Sequence, residues 1–171
     1  SWWLNLGDSF HQKQKLLVPH RVAIALQDSG WTVRGDCVWN KPNGMPHPVR
    51  DRLRETKEFV FHLSPSSDYW FDLDSIREPH KESSLKRAEN SYEGVKTMET
   101  EHLPDRNTES GVHNFDQPLH ENGKNPGDVF DVPTKSFSEA HFAVYPPELV
   151  EKPIKATTPP KVCSVCGTPY E

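Results

Sequence analysis

Trp39, Asn40, Lys41 and Pro42 sit within "CVWNKPNGMPHPVRDRLRETKEFVFHLS", residues 37–64, whose side-chain types fit nucleic-acid chemistry. An indole offers a flat apolar surface on which a base can rest. The amides of Asn40 and Asn43 each carry a donor and an acceptor, which is what bonding a base edge requires. Arg50, Arg52 and Arg54, with Lys41 and Lys57, outnumber Asp51 and Glu55 and suit phosphate oxygens. Pro42, Pro46 and Pro48 restrict the backbone, so the loop should hold a shape with little packing. The plain alternative is an exposed loop whose arginines only solvate a surface, and composition alone favours it.

Two further clusters carry chemistry. In "LNLGDSF", Asn5, Asp8 and Ser9 offer polar groups at a strand end, and Gly7 permits close backbone approach. The same residues also read as an ordinary strand-to-loop turn. Cys163 and Cys166 have the spacing of half a tetrahedral zinc site, followed by a glycine that suits a knuckle turn. Zinc needs four ligands and Cys37 is the remaining cysteine, so zinc is an expectation for a longer protein containing this chain. The nine histidines form no His-x-x-x-His pair. Gly-x-Ser-x-Gly, a P-loop and Gly-x-Gly-x-x-Gly are all missing from the sequence, which leaves hydrolase and kinase chemistry unsupported.

The elements that must position these residues follow from apolar periodicity. Trp2–Gly7 reads as a buried strand feeding a loop. Pro19 suits the first turn of a helix carrying Val22 to Leu26, and Gly30 stops it. Trp31–Trp39 is β-rich, and Glu58–Ser64 alternates with Phe59, Phe61 and Leu63 on one face. "YWFDLDSIREP" predicts an edge strand and a short turn closed by Pro79. From His80 to Asn125 polar residues dominate and define no face, which predicts a mobile or disordered insertion. "PGDVFDVPT" restores a short strand. "AHFAVYPPELVEKPIKA" predicts a strand-like run, a Pro-Pro break and a helix from Pro147 to Ala156. Strand, helix, strand argues for part of an α/β sheet, where ligands gather at the carboxyl ends of strands. The loops after Leu6 and after Trp39 lie at such ends.

Composition bounds the rest. At 171 residues there is room for one domain, but 33% hydrophobic residues, 16 prolines and a mean hydropathy of -0.79 imply a modest core with long polar loops. The net charge of -5 disfavours a protein that coats nucleic acid nonspecifically, without excluding a local basic face. No apolar run approaches the roughly 20 residues that cross a bilayer, and three cysteines read as reduced thiols. A bacterial or archaeal cytoplasm is the expected compartment. The chain begins inside an apolar run and stops shortly after Cys-x-x-Cys, so it is expected to be an internal fragment.

Taken in order, five segments carry a resemblance: "WLNLGDSF", "PHRVAIALQDSGWTVRGDCVWNKPNGMPHPVRDR", "KEFVFHLSPSSDYWFDLDSIREPH", "GKNPGDVFDVPT" and "EAHFAVYPPELVEKPIKA". Together they resemble the DNA amino-methyltransferases of restriction-modification systems, and more narrowly the circularly permuted beta class. That resemblance implies an α/β fold holding a partial Rossmann-like, S-adenosylmethionine-dependent methyltransferase sheet with a polar target-recognition insertion. It divides the chain into the middle of the core over 1–79, the insertion over 80–125, a return to the core over 126–160 and the Cys-x-x-Cys loop over 161–171.

The implied activity is methyl transfer from S-adenosylmethionine to the exocyclic amino group of cytosine (N4) or adenine (N6) in duplex DNA. The catalytic Asp/Ser-Pro-Pro-Tyr and cofactor Phe-x-Gly-x-Gly motifs would lie outside the fragment, so no catalytic residue is assigned within it. Trp39, Asn40, Lys41 and Pro42 match the loop beside the flipped base, and Arg50, Arg52 and Arg54 are expected on the DNA backbone. Asn5, Gly7, Asp8, Phe142, Tyr145 and Pro146 are expected near the cofactor. Double-stranded DNA and a cognate restriction endonuclease are the implied partners. The alternatives are a non-catalytic nucleic-acid-binding module using the arginine loop and a zinc knuckle built on Cys163 and Cys166, and a disordered-rich structural protein.

Overall fold

The computed structural model describes residues 1–91, 119–137 and 144–169. In chain order they form β1 (Trp2–Leu6), β2 (Phe10–His11), β3 (Gln14–Lys15), α1 (Val18–Asp28), β4 (Thr32–Asn40), β5 (Lys57–Ser64), α2 (Glu82–Ser91), β6 (Val129–Asp131) and α3 (Pro147–Thr157). Four strands make a mixed sheet in the order β1-β5-β4-β6. β5 is antiparallel to both β1 and β4, and β6 is parallel to β4. β1, β4 and β6 therefore run the same way.

Period two sorts the side chains of this sheet onto two faces. Phe61 and Leu63 of β5 pack with Ala23 of α1, joined by Leu4, Leu6, Phe59 and Val33. On the opposite face Cys37, Trp39, Val60 and Phe130 pack with Leu149 of α3, joined by Trp3. The sheet is thus the middle of three layers. Val33, Cys37 and Trp39 are all odd-numbered, so a regular strand would put them on one face. A register shift between Val33 and Gly35 reverses the phase and sends Val33 to one core and Cys37 and Trp39 to the other. Burying Phe61 and Leu63 contributes about 1.5–3 kcal/mol each.

The helix ends follow their residues. Pro19 occupies the first turn of α1, where a missing N–H costs nothing. Gly30, at φ +100°, closes the other end: its N–H bonds the Gln27 carbonyl and Trp31 N–H bonds the Leu26 carbonyl. Pro147 starts α3, and the Thr157 hydroxyl at its far end accepts a 3.1 Å bond from Trp3 Nε1, tying the helix to β1.

Three expectations are corrected. "YWFDL" forms no strand: Tyr69 and Phe71 set their rings against His62, and Asp72 N–H bonds the Ala156 carbonyl, so these residues pack as side chains instead of extending the sheet. A single 3-10 turn, Asp74–Ile76, follows. The β2–β3 hairpin was not expected from a stretch without Gly or Asn at its turn. Residues 82–91, read as part of an insertion without regular structure, form α2.

Residues 77–126 make a second compact unit. Within it Glu78 and Lys124 exchange backbone hydrogen bonds of 3.0 and 2.8 Å, and their side chains pair at 2.8 Å. Gly123 has φ +101°, and a Cβ there would lie 2.3 Å from the Glu78 carbonyl oxygen, so only glycine fits. Residues 92–118 of the polar segment lie outside the described residues.

Candidate nucleic-acid interface at the carboxyl edge of the sheet

Because β1, β4 and β6 are parallel, Leu6, Asn40 and Asp131 end on one edge, and β5 starts there. Leu6 pairs with Phe59, and Asn40 with both Lys57 and Asp131. The connections leaving this edge hold most of the residues singled out in the sequence, at the place where open α/β sheets bind ligands.

Trp39 lies beneath that edge. It is 3% exposed, and its Nε1 donates a 2.7 Å bond to the Val132 carbonyl. The Lys41 ammonium lies 4.2 Å from the indole centroid and pairs with Glu58. The indole therefore holds the loop up from the core and offers no free face. Asn40 Nδ2 donates to Asp131 Oδ1 at 2.7 Å, while Pro42 is exposed. Asn43 clasps Thr134: its Nδ2 donates to the Thr134 carbonyl at 2.8 Å, and its Oδ1 accepts from Thr134 N and Oγ1 at 2.8 and 3.1 Å. Asn43, read from the sequence as an amide for a base edge, spends that amide on Thr134 and is a positioning residue instead; Glu58 and Thr134, which position the loop with it, were not assigned from sequence.

The three arginines divide their work. Arg54 Nη1 donates to the Gly44 and Met45 carbonyls at 2.6 and 3.3 Å and so shapes the proline loop. The Arg52 guanidinium lies 3.9 Å from the centroid of the Phe10 ring. Arg50 is exposed. Phe10 belongs to the β2–β3 hairpin, which is further braced on the loop by a 2.8 Å Lys13–Asp51 pair and by Lys15–Glu55. The hairpin turn consists of Gln12 at φ +48° and Lys13 at φ +67°. Positive φ at both central residues is the conformation that usually selects Asn-Gly. For side-chained residues it costs about 1–2 kcal/mol each.

At the end of β1 the polar groups turn into the fold. Asn5 Nδ2 donates to the Phe59 carbonyl at 3.2 Å, and Gly7 lies beside Glu58. Asp8 Oδ1 accepts from Ser9 N and Val18 N at 2.9 and 3.0 Å, so this carboxylate serves the first turn of α1 from ten residues upstream. Burial of Asp8, whose side chain is 4% exposed, raises its pKa. The two N–H bonds and the charges of Lys15 and His20 outweigh that and hold it below 3.8. Its Oδ2 is buried without a hydrogen-bond partner, 3.8 Å from Lys15 Nζ. Pro146 is buried at the start of α3 and Tyr145 is exposed, whereas Phe142 lies outside the described residues. With Asn5 and Asp8 engaged in this way, these residues do not by themselves form a cradle for S-adenosylmethionine.

A family model for N6 and N4 methyltransferases, described as DNA methylase, matches residues 1–163. The chain belongs to this DNA methylase family. It is 30% identical to the type II methyltransferase M.SfiI of Streptomyces fimbriatus, in a match covering 93% of this chain and 64% of the relative. It is 34% identical to M.XycI of Xanthomonas campestris pv. cyanopsidis and to M.Cfr9I of Citrobacter freundii, each match covering 86% of this chain and 37% of the relative. This methylase chain thus spans between about a third and two thirds of the length of these relatives.

The zinc expectation fares differently. Cys163 opens a turn that contains Cys166 and is closed by Gly167, which at φ +72° donates its N–H to the Cys163 carbonyl at 2.9 Å. Cys37 is buried in the sheet. Among the described residues no group of three or more His, Cys, Asp or Glu side chains could hold a metal ion. Among the described residues the donor set stops at two thiols, so zinc and the zinc-knuckle module are left without support. Among the described residues no helix is long and apolar enough to cross a membrane.

Proposed function

We propose that this chain is the base- and DNA-facing part of an S-adenosylmethionine-dependent methyltransferase acting on the exocyclic amino group of cytosine (N4) or adenine (N6) in duplex DNA. Its four-stranded sheet belongs to a larger Rossmann-like sheet, with residues 80–125 as target-recognition insertion. A restriction endonuclease of the same specificity is the natural partner system. The observation that carries this reading is the convergence of the loops after Leu6, Asn40 and Asp131 on one sheet edge, in a chain of the DNA methylase family.

S-adenosylmethionine, when bound, supplies an electrophilic sulfonium methyl. This chain's own residues prepare the other reactant. Extruding a base from the duplex costs a few kcal/mol and needs a pocket with edge contacts. Asn40, Lys41 and Pro42 form the wall of that pocket, standing on Trp39 and held at a fixed height by Glu58 and Asp131. Rigid placement matters because transfer requires the amino nitrogen in line with the methyl carbon. Arg50 meets the phosphate backbone, while Arg52 and Arg54 keep the loop in shape for it. Asn5, Gly7 and Asp8 back the strand end on the cofactor side, with Tyr145 and Pro146 leading toward it.

Incubating the intact gene product with duplex DNA and S-adenosylmethionine labelled in its methyl group tests the reading. Digestion to nucleosides should release labelled N4-methyldeoxycytidine or N6-methyldeoxyadenosine. Label on a ring carbon, or none in DNA, overturns it.

A further inference from the structure

The β2–β3 hairpin projects from the carboxyl end of β1, beside the arginine-proline loop, and nothing in the role given to that loop explains its turn. A two-residue turn with positive φ at both positions is relieved by glycine, yet Gln12 and Lys13 occupy it. Strain kept at two positions, each of which a glycine would release, points to a use for the side chains. His11, Gln12, Lys13 and Gln14 are all exposed, Lys13 with 87% of its side chain free. The base of the hairpin is fixed through the Arg52–Phe10 stack, Lys15–Glu55 and a 3.0 Å bond from Leu16 N to the Ser9 carbonyl. The result is a rigid stem with a polar tip, joined to the loop proposed to face the target base.

We propose that this tip is a second DNA-contacting element, with Gln12 entering the duplex beside the target base and hydrogen-bonding the base left without a partner. The inference rests on the methyltransferase reading above. An amide fits the task because its donor and acceptor match some edge of any orphaned base. Lys13 is drawn aside by Asp51, 2.8 Å away, which leaves Gln12 to lead. In a paired duplex the amide compensates the extruded base's lost partner, whereas a target already unpaired needs no such help.

Gln12→Gly in the intact gene product tests this, because it removes the amide and relieves the first of the two strained turn positions together. Its Tm should equal or exceed that of the wild type. Its methylation rate on a fully paired duplex should fall about tenfold or more, and recover to within about twofold of wild type on a duplex mismatched at the target base. Wild-type rates on the paired duplex, or an equal loss on both duplexes, overturn the assignment of Gln12 while leaving the methyltransferase reading intact. Failure of the wild-type protein to methylate either duplex overturns both.

Discussion

The Lys41 ammonium lies 4.2 Å from the centroid of the Trp39 ring, so the first residue of the loop rests on the next-to-last residue of the strand that feeds it. A cation–π contact of this kind contributes about 0.5–1 kcal/mol. Burial of the indole is the larger effect, and Trp39→Ala should destabilise the fold by about 3–5 kcal/mol. The loop is built on that ring, so DNA binding and methylation should fall together, with the loss visible as an earlier urea midpoint. Lys41→Met should hold stability within about 1 kcal/mol and affect methylation more than binding. A Trp39→Ala protein as stable as wild type that loses only methylation would show the indole touching the base.

Arg50 and Arg54 should separate in a salt titration. Arg50 is exposed, so Arg50→Ala should leave stability within about 0.5 kcal/mol. It should lower the slope of log K against log salt by about one, the signature of one lost phosphate contact. Arg54 bonds the Gly44 and Met45 carbonyls, so Arg54→Ala should loosen the loop and cost about 1 kcal/mol. Binding isotherms at several salt concentrations decide the matter, and an unchanged slope in Arg50→Ala refutes the phosphate contact.

Much of the fold was legible in the sequence, and the exceptions share a cause. The alternation of Phe59, Phe61 and Leu63, Pro19 with Gly30, and Pro147 are local signals, and they gave β5, α1 and α3 nearly to the residue. The Trp39 indole was read as an open platform because aromatic residues at a loop edge look alike whether they face solvent or core. The shift in register at Arg34, which sends Trp39 into the core beside α3, leaves no mark in the pattern of apolar residues. The clasp of Asn43 on Thr134 spans 91 residues, beyond any periodicity. The hairpin was missed because Gln12 and Lys13 are poor turn formers, so local propensity argued against what the fold imposes.

Acid should weaken the fold through His62. Its ring is buried and stacks on Trp3 with centroids 4.3 Å apart. Burial first, then the charge of the Ser1 ammonium and that of Arg34, lowers its pKa from 6.5 to about 4. The folded chain thus keeps this ring neutral while the unfolded chain takes up a proton below 6.5, so stability falls as pH drops through that window and levels off beneath about 4. The loss should reach at most about 3 kcal/mol. Asp8 acts lower still, because its depressed pKa makes its contribution disappear only as pH falls below 3.8. Urea midpoints between pH 7 and pH 4 measure the first effect, and His62→Phe should flatten the profile. A wild-type midpoint constant across that range would contradict the neutral buried ring.

Cys37 should be the silent thiol of the three. It is buried on β4 against Trp39, Val60 and Phe130. Burial, then the charges of Asp128 and Asp36, push its pKa up to about 11. At pH 8 only about one molecule in a thousand carries the reactive thiolate, which is also shielded by the sheet. Cys166 is exposed and Cys163 half-buried, so iodoacetamide in native buffer should alkylate that pair, Cys166 first, and spare Cys37 until denaturant is added. Peptide mass spectrometry over time reads the order directly. Modification of Cys37 at a rate comparable to Cys166 would mean that the face of the sheet against α3, and with it the seat of Trp39, is open to solvent.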